Sequence, residues 1–496
     1  MESLSDTKWD VVISGTGFQQ SLLALALSRS GKNILHVDPN DYYGDAEAAL
    51  SLEDAHRWAA KHAGLDATGP FSATQVSEDS QGGLAASRSY SLALAPQLLH
   101  ARSELLTQLV SSKAFRQIEF LAVGSFFIFQ PASEASTPPK LSRIPSTRED
   151  VFSNSVIPAR AKRSLMKFLR FVLEYDSEPQ LELWKPRESR PLTEFLETEF
   201  KLDADSQSYI VTLTLSADGA IPVGSGLAAV NRHLVSTGVF GAGFAAVYPR
   251  WGGLSEVAQV GCRAAAVGGA TYMLGVGVSG VQRTLSDGED QVEVSLTNGV
   301  AVTAKRLIRS SSHAYNGPLV SRLAAIVNAP LASLFKVVVE GAPTPCAAVV
   351  AFPVGSIMGE DGTPSRCPIY ALAHSSDAGE CPTGQCTLYL STPASSESKA
   401  LLNTAITSLL AAASGPEPAK CIWQLYYEQA SGTGSFTTAG ENIGVFDWLT
   451  SDLSFNDSLL EPVRDAWLFV TGRDDIDNYM KFEDREGVTD DDVFDS

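Results

Sequence analysis

An apolar run that enters a Gly-x-Gly turn and leaves it as a helix constrains this chain more than any other feature. Val11-Val12-Ile13 reads as a buried parallel strand leading into Gly15-Thr16-Gly17. Residues 18–30 hold Leu22, Leu23, Leu25, Ala26 and Leu27 with few breakers, and Gly31 then stops the helix. A second apolar strand, Asn33 to Val37, ends at Asp38. Strand, turn, helix and strand in this order form a Rossmann-type unit. In its dinucleotide-binding version two glycines shape the turn and a third admits close helix–strand packing. An acid after the second strand takes the ribose hydroxyls. Gly15 and Gly17 are in place and Asp38 stands where that acid belongs, but the third glycine position holds Gln20. The expectation is a degenerate motif that keeps the turn and binds no cofactor.

Other catalytic patterns are scarce. The histidines at 36, 56, 62, 100, 233, 313 and 374 show no metal-ligand spacing, and neither a G-x-S-x-G elbow nor a P-loop occurs. Gly224-Ser225-Gly226 reads as a turn. Cys381 and Cys386 match neither a redox CxxC nor a zinc knuckle, so no metal site is expected. With 57 acidic against 37 basic side chains, the chain carries no sequence-wide footprint for nucleic acid. Anionic membrane surfaces are disfavoured for the same reason. No apolar run approaches the roughly 18 residues of a membrane-spanning helix. The opening MESLSDTKWD lacks a signal-peptide layout, and no lipidation signal occurs. These readings predict a soluble, acidic, cytoplasmic protein that is not itself an enzyme.

Along the chain, residues 45–87 end in the polar stretch SATQVSEDSQGG and read as an insertion or flexible linker. Apolar patterning returns at Arg88, with Leu105, Leu106 and Leu109 along a helix and a strand from Phe120 to Phe129. Residues 147–240 read as a helical block. There Leu165, Phe168, Leu169 and Val172 follow helical spacing, and Met166 and Leu173 widen the stripe until the helix is apolar nearly all round. Such a helix suits either a ligand cavity or a plain core. From 241 the pattern is strand-rich again, as in Val292-Glu293-Val294-Ser295-Leu296. The expected fold is therefore α/β, a discontinuous Rossmann-like domain with mixed sheets (1–146 and 241–473) interrupted by an all-helical domain (147–240). The last 23 residues, 474–496, hold ten acids and two bases and read as a loosely ordered tail.

The segment Leu35-His36-Val37-Asp38-Pro39-Asn40-Asp41-Tyr42-Tyr43-Gly44 puts two tyrosines after the second strand, where nucleotide binding has no use for them. It resembles the opening of the Rab GDP-dissociation inhibitor and Rab escort protein superfamily, which keeps a flavoprotein-like fold without the flavin. Arg88 to Leu99 (RSYSLALAPQLL) is similar to that family's second conserved block. Trp251 to Arg263 (WGGLSEVAQVGCR) and Val267 to Leu274 (VGGATYML) are similar to its third. The resemblance runs in order from Trp9 to Leu274.

The resemblance implies a Rab-binding platform at Tyr43, Glu256, Gln259, Arg263 and Met273, with an arginine fork and an acid reading a GTPase surface between apolar anchors. Read from the residues alone, Glu256 and Arg263 form a solvated ion pair and Met273 is core. The family's escort proteins present newly made, GDP-bound Rab to the Rab geranylgeranyltransferase α/β heterodimer through a Phe and an Arg eleven apart, here Phe152 and Arg163. Dissociation inhibitors carry a smaller aliphatic residue at the first of these. The plain reading of Phe152 is a hydrophobic staple at a helix start. As an escort protein the chain would shield the geranylgeranyl lipid of the Rab tail in its helical domain and meet membranes only peripherally, to deliver it. The alternatives are a recycling dissociation inhibitor and an FAD-dependent amine oxidase or desaturase. For the latter, Thr471-Gly472-Arg473-Asp474 after a strand Leu468-Phe469-Val470 would be a late flavin contact. The family's Arg-Tyr-Gly stands here as Val239-Phe240-Gly241, and Ala258 replaces a common Pro.

Overall fold

A computed structural model describes residues 4–64, 69–79, 82–132, 138–145, 148–153, 157–286, 289–312, 317–413, 418–472 and 476–484. Strand β1 (Trp9–Ser14), helix α1 (Phe18–Leu27) and strand β2 (Ile34–Asp38) form the unit expected from the sequence. β1 lies between β2 and the strand Ala301–Ser310, parallel to both, which ties the start of the chain to its second half. Valine and isoleucine fill β1 because both of its faces are covered. α1 lies on one face, and a meander of Val278–Ser286, Glu289–Leu296 and Ala301–Ser310 extends the sheet. An edge strand, Thr271–Leu274, runs parallel to β2.

A second, larger sheet also joins distant parts of the chain. Phe120–Gln130 pairs antiparallel with Ala246–Pro249 and parallel with Ala347–Phe352. Between these two halves the described elements are helices, from Arg148–Ser153 to Val223–Ser236. The molecule is thus a discontinuous α/β body with mixed sheets and a helical insertion.

Four local expectations are corrected. The polar stretch read as a linker is in part a strand. Phe71–Glu78 forms the edge of the large sheet against Cys421–Ala430, and Leu52–Lys61 before it is a helix capped by Ser51. Leu468-Phe469-Val470 belongs to the helix Leu460–Thr471, and Arg473 and Asp474 lie outside the described residues. Gly224-Ser225-Gly226 sits in the first turn of the helix Val223–Ser236. The helix Ala159–Leu173 is amphipathic, not apolar all round. Its Leu165, Phe168, Leu169 and Val172 fill a packed core while Arg163, Lys167 and Arg170 face out, the long cations keeping their charges in water. Of the acidic tail, 476–484 are described and Met480 is buried; 485–496 lie outside the described residues.

Candidate functional site

The degenerate motif is closed by the chain's own side chains. Gly15 turns at φ +94°, and Thr16 donates to Asp38 Oδ2 from its backbone N–H (2.6 Å) and its hydroxyl (2.7 Å). Asn40 N–H takes the other Asp38 oxygen at 2.7 Å. Both oxygens of the acid that would bind ribose are therefore engaged from within. At the N-terminus of α1, where a pyrophosphate would sit, the Phe18 N–H donates to Glu47 Oε2 at 2.9 Å. That carboxyl group is buried, and it occupies the place at the helix N-terminus where a phosphate would sit. Gln20 folds over the same turn: its Nε2 donates to Ser310 Oγ at 2.5 Å, and its Oε1 lies 3.0 Å from where a Cβ on Gly17 would be.

Burial pushes the Glu47 carboxyl up to about 8 and Asp45 beside it up to about 7; Asp38 is raised too, also by burial. A dinucleotide would have to displace Glu47 and bring two phosphate charges among three acids, Asp38 and Glu47 buried and Asp45 half-buried. The residues present do not fit one. Among the described residues no cluster of His, Cys, Asp or Glu is arranged to hold a metal ion.

A hydrogen-bonded relay leads from this turn to the tyrosines. His36 Nε2 lies 2.6 Å from the Gly15 carbonyl and its Nδ1 lies 3.0 Å from Tyr272 Oη. A carbonyl only accepts, so Nε2 carries the proton and Nδ1 accepts from the Tyr272 hydroxyl. Burial holds His36 down at about 4, which keeps it neutral. The Tyr272 ring in turn meets half-buried Tyr43 edge-on, with centroids 6.4 Å apart.

The helix Leu254–Val267 supplies three more of the expected residues. Leu254, Val257, Val260 and Ala265 pack toward α1, and Gly261 permits a close approach. A Cβ on Gly261 would lie 2.6 Å from the Ser21 carbonyl oxygen, and one on Gly268 would lie 2.0 Å from that of Ser28. The opposite stripe carries Glu256, Gln259 and Arg263 at helical spacing. Burial raises the Glu256 pKa and the Arg263 charge opposes the rise, so the two feel each other across two turns. Gln259 reaches Ser255 Oγ at 3.4 Å, and that hydroxyl also accepts from Ala49 N–H at 3.2 Å.

Met273 is not on this side. It packs with Val12, Leu35 and Val37, whereas Tyr272 beside it packs toward α1, because successive side chains of a strand face opposite ways. Phe152 lies in the short helix Arg148–Ser153, which Val151 buries and the Arg143–Asp150 ion pair (2.7 Å) anchors. Phe152 as a whole is 82% exposed, so it staples nothing. Arg163, on the next helix, is also exposed. Lys162 Nζ bridges the two helices by donating to the Phe152 carbonyl at 2.9 Å.

Sequence reasoning missed Glu47 and the Tyr272 relay, and it missed a buried carboxylate beneath the start of the Leu254–Val267 helix. Glu380 accepts from Tyr248 Oη (2.7 Å), Tyr389 Oη (2.7 Å) and Thr387 Oγ1 (3.1 Å), and lies 2.9 Å from His374 Nδ1. Burial raises its pKa, but His374 and the hydroxyls outweigh that and hold it below the ordinary glutamate value.

A family model described as GDP dissociation inhibitor matches residues 5–334. The Rab proteins geranylgeranyltransferase component A of Saccharomyces cerevisiae is 33% identical over 390 residues, 78% of this chain and 61% of that protein. A guanosine nucleotide diphosphate dissociation inhibitor of Arabidopsis thaliana is 26% identical over 282 residues, 54% of this chain and 53% of that one. The chain thus spans about three-fifths of the length of the component A proteins it matches. Among solved structures, the Rab GDI of Plasmodium falciparum superposes with a TM-score of 0.65 at 18% identity, over 94% of this chain and 98% of that one. An oxidoreductase of Methanosarcina mazei superposes at 0.58 and 12% identity, over 93% of this chain and 99% of that one, so the fold is shared with oxidoreductases.

Proposed function

We propose a function from one premise: this chain belongs to the GDP dissociation inhibitor family. It acts as a Rab escort protein. It binds newly made GDP-bound Rab GTPase, presents it to the Rab geranylgeranyltransferase α/β heterodimer, and shields and delivers the geranylgeranylated product. In this reading it is the non-catalytic partner in prenylation, works in the cytoplasm and meets membranes only peripherally. Tyr43, Glu256, Gln259 and Arg263 contact Rab from one side of the edge strand, and Met273 does so from the other.

The observation that carries the escort reading is Phe152. A large aromatic residue 82% exposed is unfavourable in water and has the character of an interface anchor. Arg163 nearby supplies a planar cation of the kind interfaces favour. The similarity to a component A protein points the same way. The helical block is filled by Phe168, Phe195, Phe200 and Leu165 among others, so a prenyl chain entering it displaces side chains rather than occupying an open cavity.

The test is reconstituted Rab prenylation with purified components. Phe152→Ala is expected to weaken transferase docking by roughly 30-fold, about 2 kcal/mol, while Rab binding stays intact. Unchanged transferase affinity overturns the escort assignment. Extraction of prenylated Rab from membranes without support of prenylation would instead favour a recycling inhibitor.

A further inference from the structure

In a chain with 57 acids and 37 bases, three cations converge on one cleft of 220 Å³. Arg29 comes from the end of α1, Lys113 and Arg116 from just beyond the helix Glu104–Ser111, and Ala264 and Val267 of the helix Leu254–Val267 complete the wall. The chain's own Phe482 and Asp484 form one side of it. Asp484 pairs with Arg116 at 2.9 Å and with Lys113 at 3.5 Å. The Arg29 guanidinium sits 4.7 Å from the centre of the Phe482 ring and also donates to the Glu483 carbonyl. Phe482 N–H donates to the Ser111 carbonyl at 3.0 Å.

We propose that this cleft is a docking site for an acidic peptide segment bearing an aromatic ring, closed in cis by Phe482–Asp484 and open to a partner segment of the same chemistry when that strap lets go. The strap is built to exchange. Met480 anchors its near end in the core, but Phe482 is only half-buried and Glu483 and Asp484 are exposed. Asp484 is the exposed partner of both ion pairs, with Lys113 and Arg116 half-buried, so water and salt reach each pair from the acid's side and weaken it. The bound segment is recognised by three complementary features: a cation over an aromatic face, paired cations for a carboxylate, and a carbonyl awaiting a backbone N–H. The cleft also has a place in the molecule. Val267 lies one helical turn beyond Arg263, so a segment docked here abuts the Glu256–Gln259–Arg263 stripe end-on.

The test uses the full chain and a fluorescent peptide covering residues 481–486. Phe482→Ala combined with Asp484→Lys removes the cis competitor, so the peptide is expected to bind that variant about tenfold more tightly than the unaltered chain. Lys113→Glu with Arg116→Glu abolishes binding in either background. In the unaltered chain, protection of the Phe482 amide from hydrogen exchange falls between about 50 mM and about 500 mM salt. Asp484→Lys removes that protection and Asp484→Lys with Arg116→Asp restores it, which separates docking from general unfolding. Equal peptide affinity with and without the strap, or no restoration by the charge swap, overturns the proposal.

Discussion

Two buried carboxylates give pH dependences of opposite sign. Glu47 has its folded pKa near 8, above the ordinary value of 4.5, so the folded chain holds that proton more tightly than the unfolded one. The stability it contributes is complete below about 4.5 and is lost as pH rises toward 8, at up to about 1.4 kcal/mol per pH unit. Glu47→Gln keeps an acceptor for the Phe18 N–H without a charge. Its melting temperature is therefore expected to fall less than that of the unaltered chain between about pH 5 and about pH 8. A scan of melting temperature against pH checks this, and two parallel curves would remove Glu47 as the cause. Glu380 lies on the other side of its ordinary value, so its contribution is present above about 4.5 and is lost as pH falls through its folded pKa. Glu380→Ala strands Tyr248 and Tyr389 hydroxyls inside the large sheet and is expected to cost about 3 kcal/mol in urea unfolding. Neither acid was legible in the sequence. Glu47 lies in a stretch with no motif, and Glu380 gains meaning only when Tyr248, His374 and Tyr389 arrive from separate strands. Gly15, Gly17 and Asp38 were legible because their spacing belongs to one local unit.

At the scale of elements, the packing of α1 against the helix Leu254–Val267 rests on a pair of backbone approaches seven residues apart on each helix. Gly261 meets Ser21 and Gly268 meets Ser28. Gly261→Ala inserts a methyl group where the gap to a carbonyl oxygen is 2.6 Å, so the helix has to move away. A loss of about 1–3 kcal/mol in denaturant unfolding is expected. Rab affinity should fall with it if the Glu256–Arg263 stripe is the platform. A surface change such as Ala266→Ser, exposed one turn beyond Arg263, should leave the unfolding free energy unchanged. The elements that were misread share a physical cause. Leu468-Phe469-Val470 is a short apolar run, and period alone does not separate a strand from a buried helix turn at that length. Phe71–Glu78 is an edge strand whose pairing partner, Cys421–Ala430, lies far along the chain, so nothing local to it marked a sheet. Residues 165–173 look apolar on a list, but Lys167 and Arg170 fall on one face and turn it outward.

At the scale of the molecule, each sheet combines strands from early and late in the chain, and the helical block is inserted in sequence between strands of the larger one. A formal charge of −20 makes association with a positively charged partner segment sensitive to salt. The rate of Rab association is expected to drop severalfold as salt rises, with dissociation less affected; equal effects on both rates would show that long-range charge plays no part. The overall architecture was legible because alternating strand-rich and helical segments imply it. The closing of the nucleotide turn was not, since it depends on a side chain from a loop folding back on α1. That closure sets the molecule apart from an enzyme that holds a dinucleotide in the same kind of turn. Such an enzyme gains stability with the concentration of its free cofactor, and loses it on dialysis. Here the carboxyl group at the helix end is covalently part of the chain, so its supply never varies, and neither dilution nor nutritional shortage can empty the site.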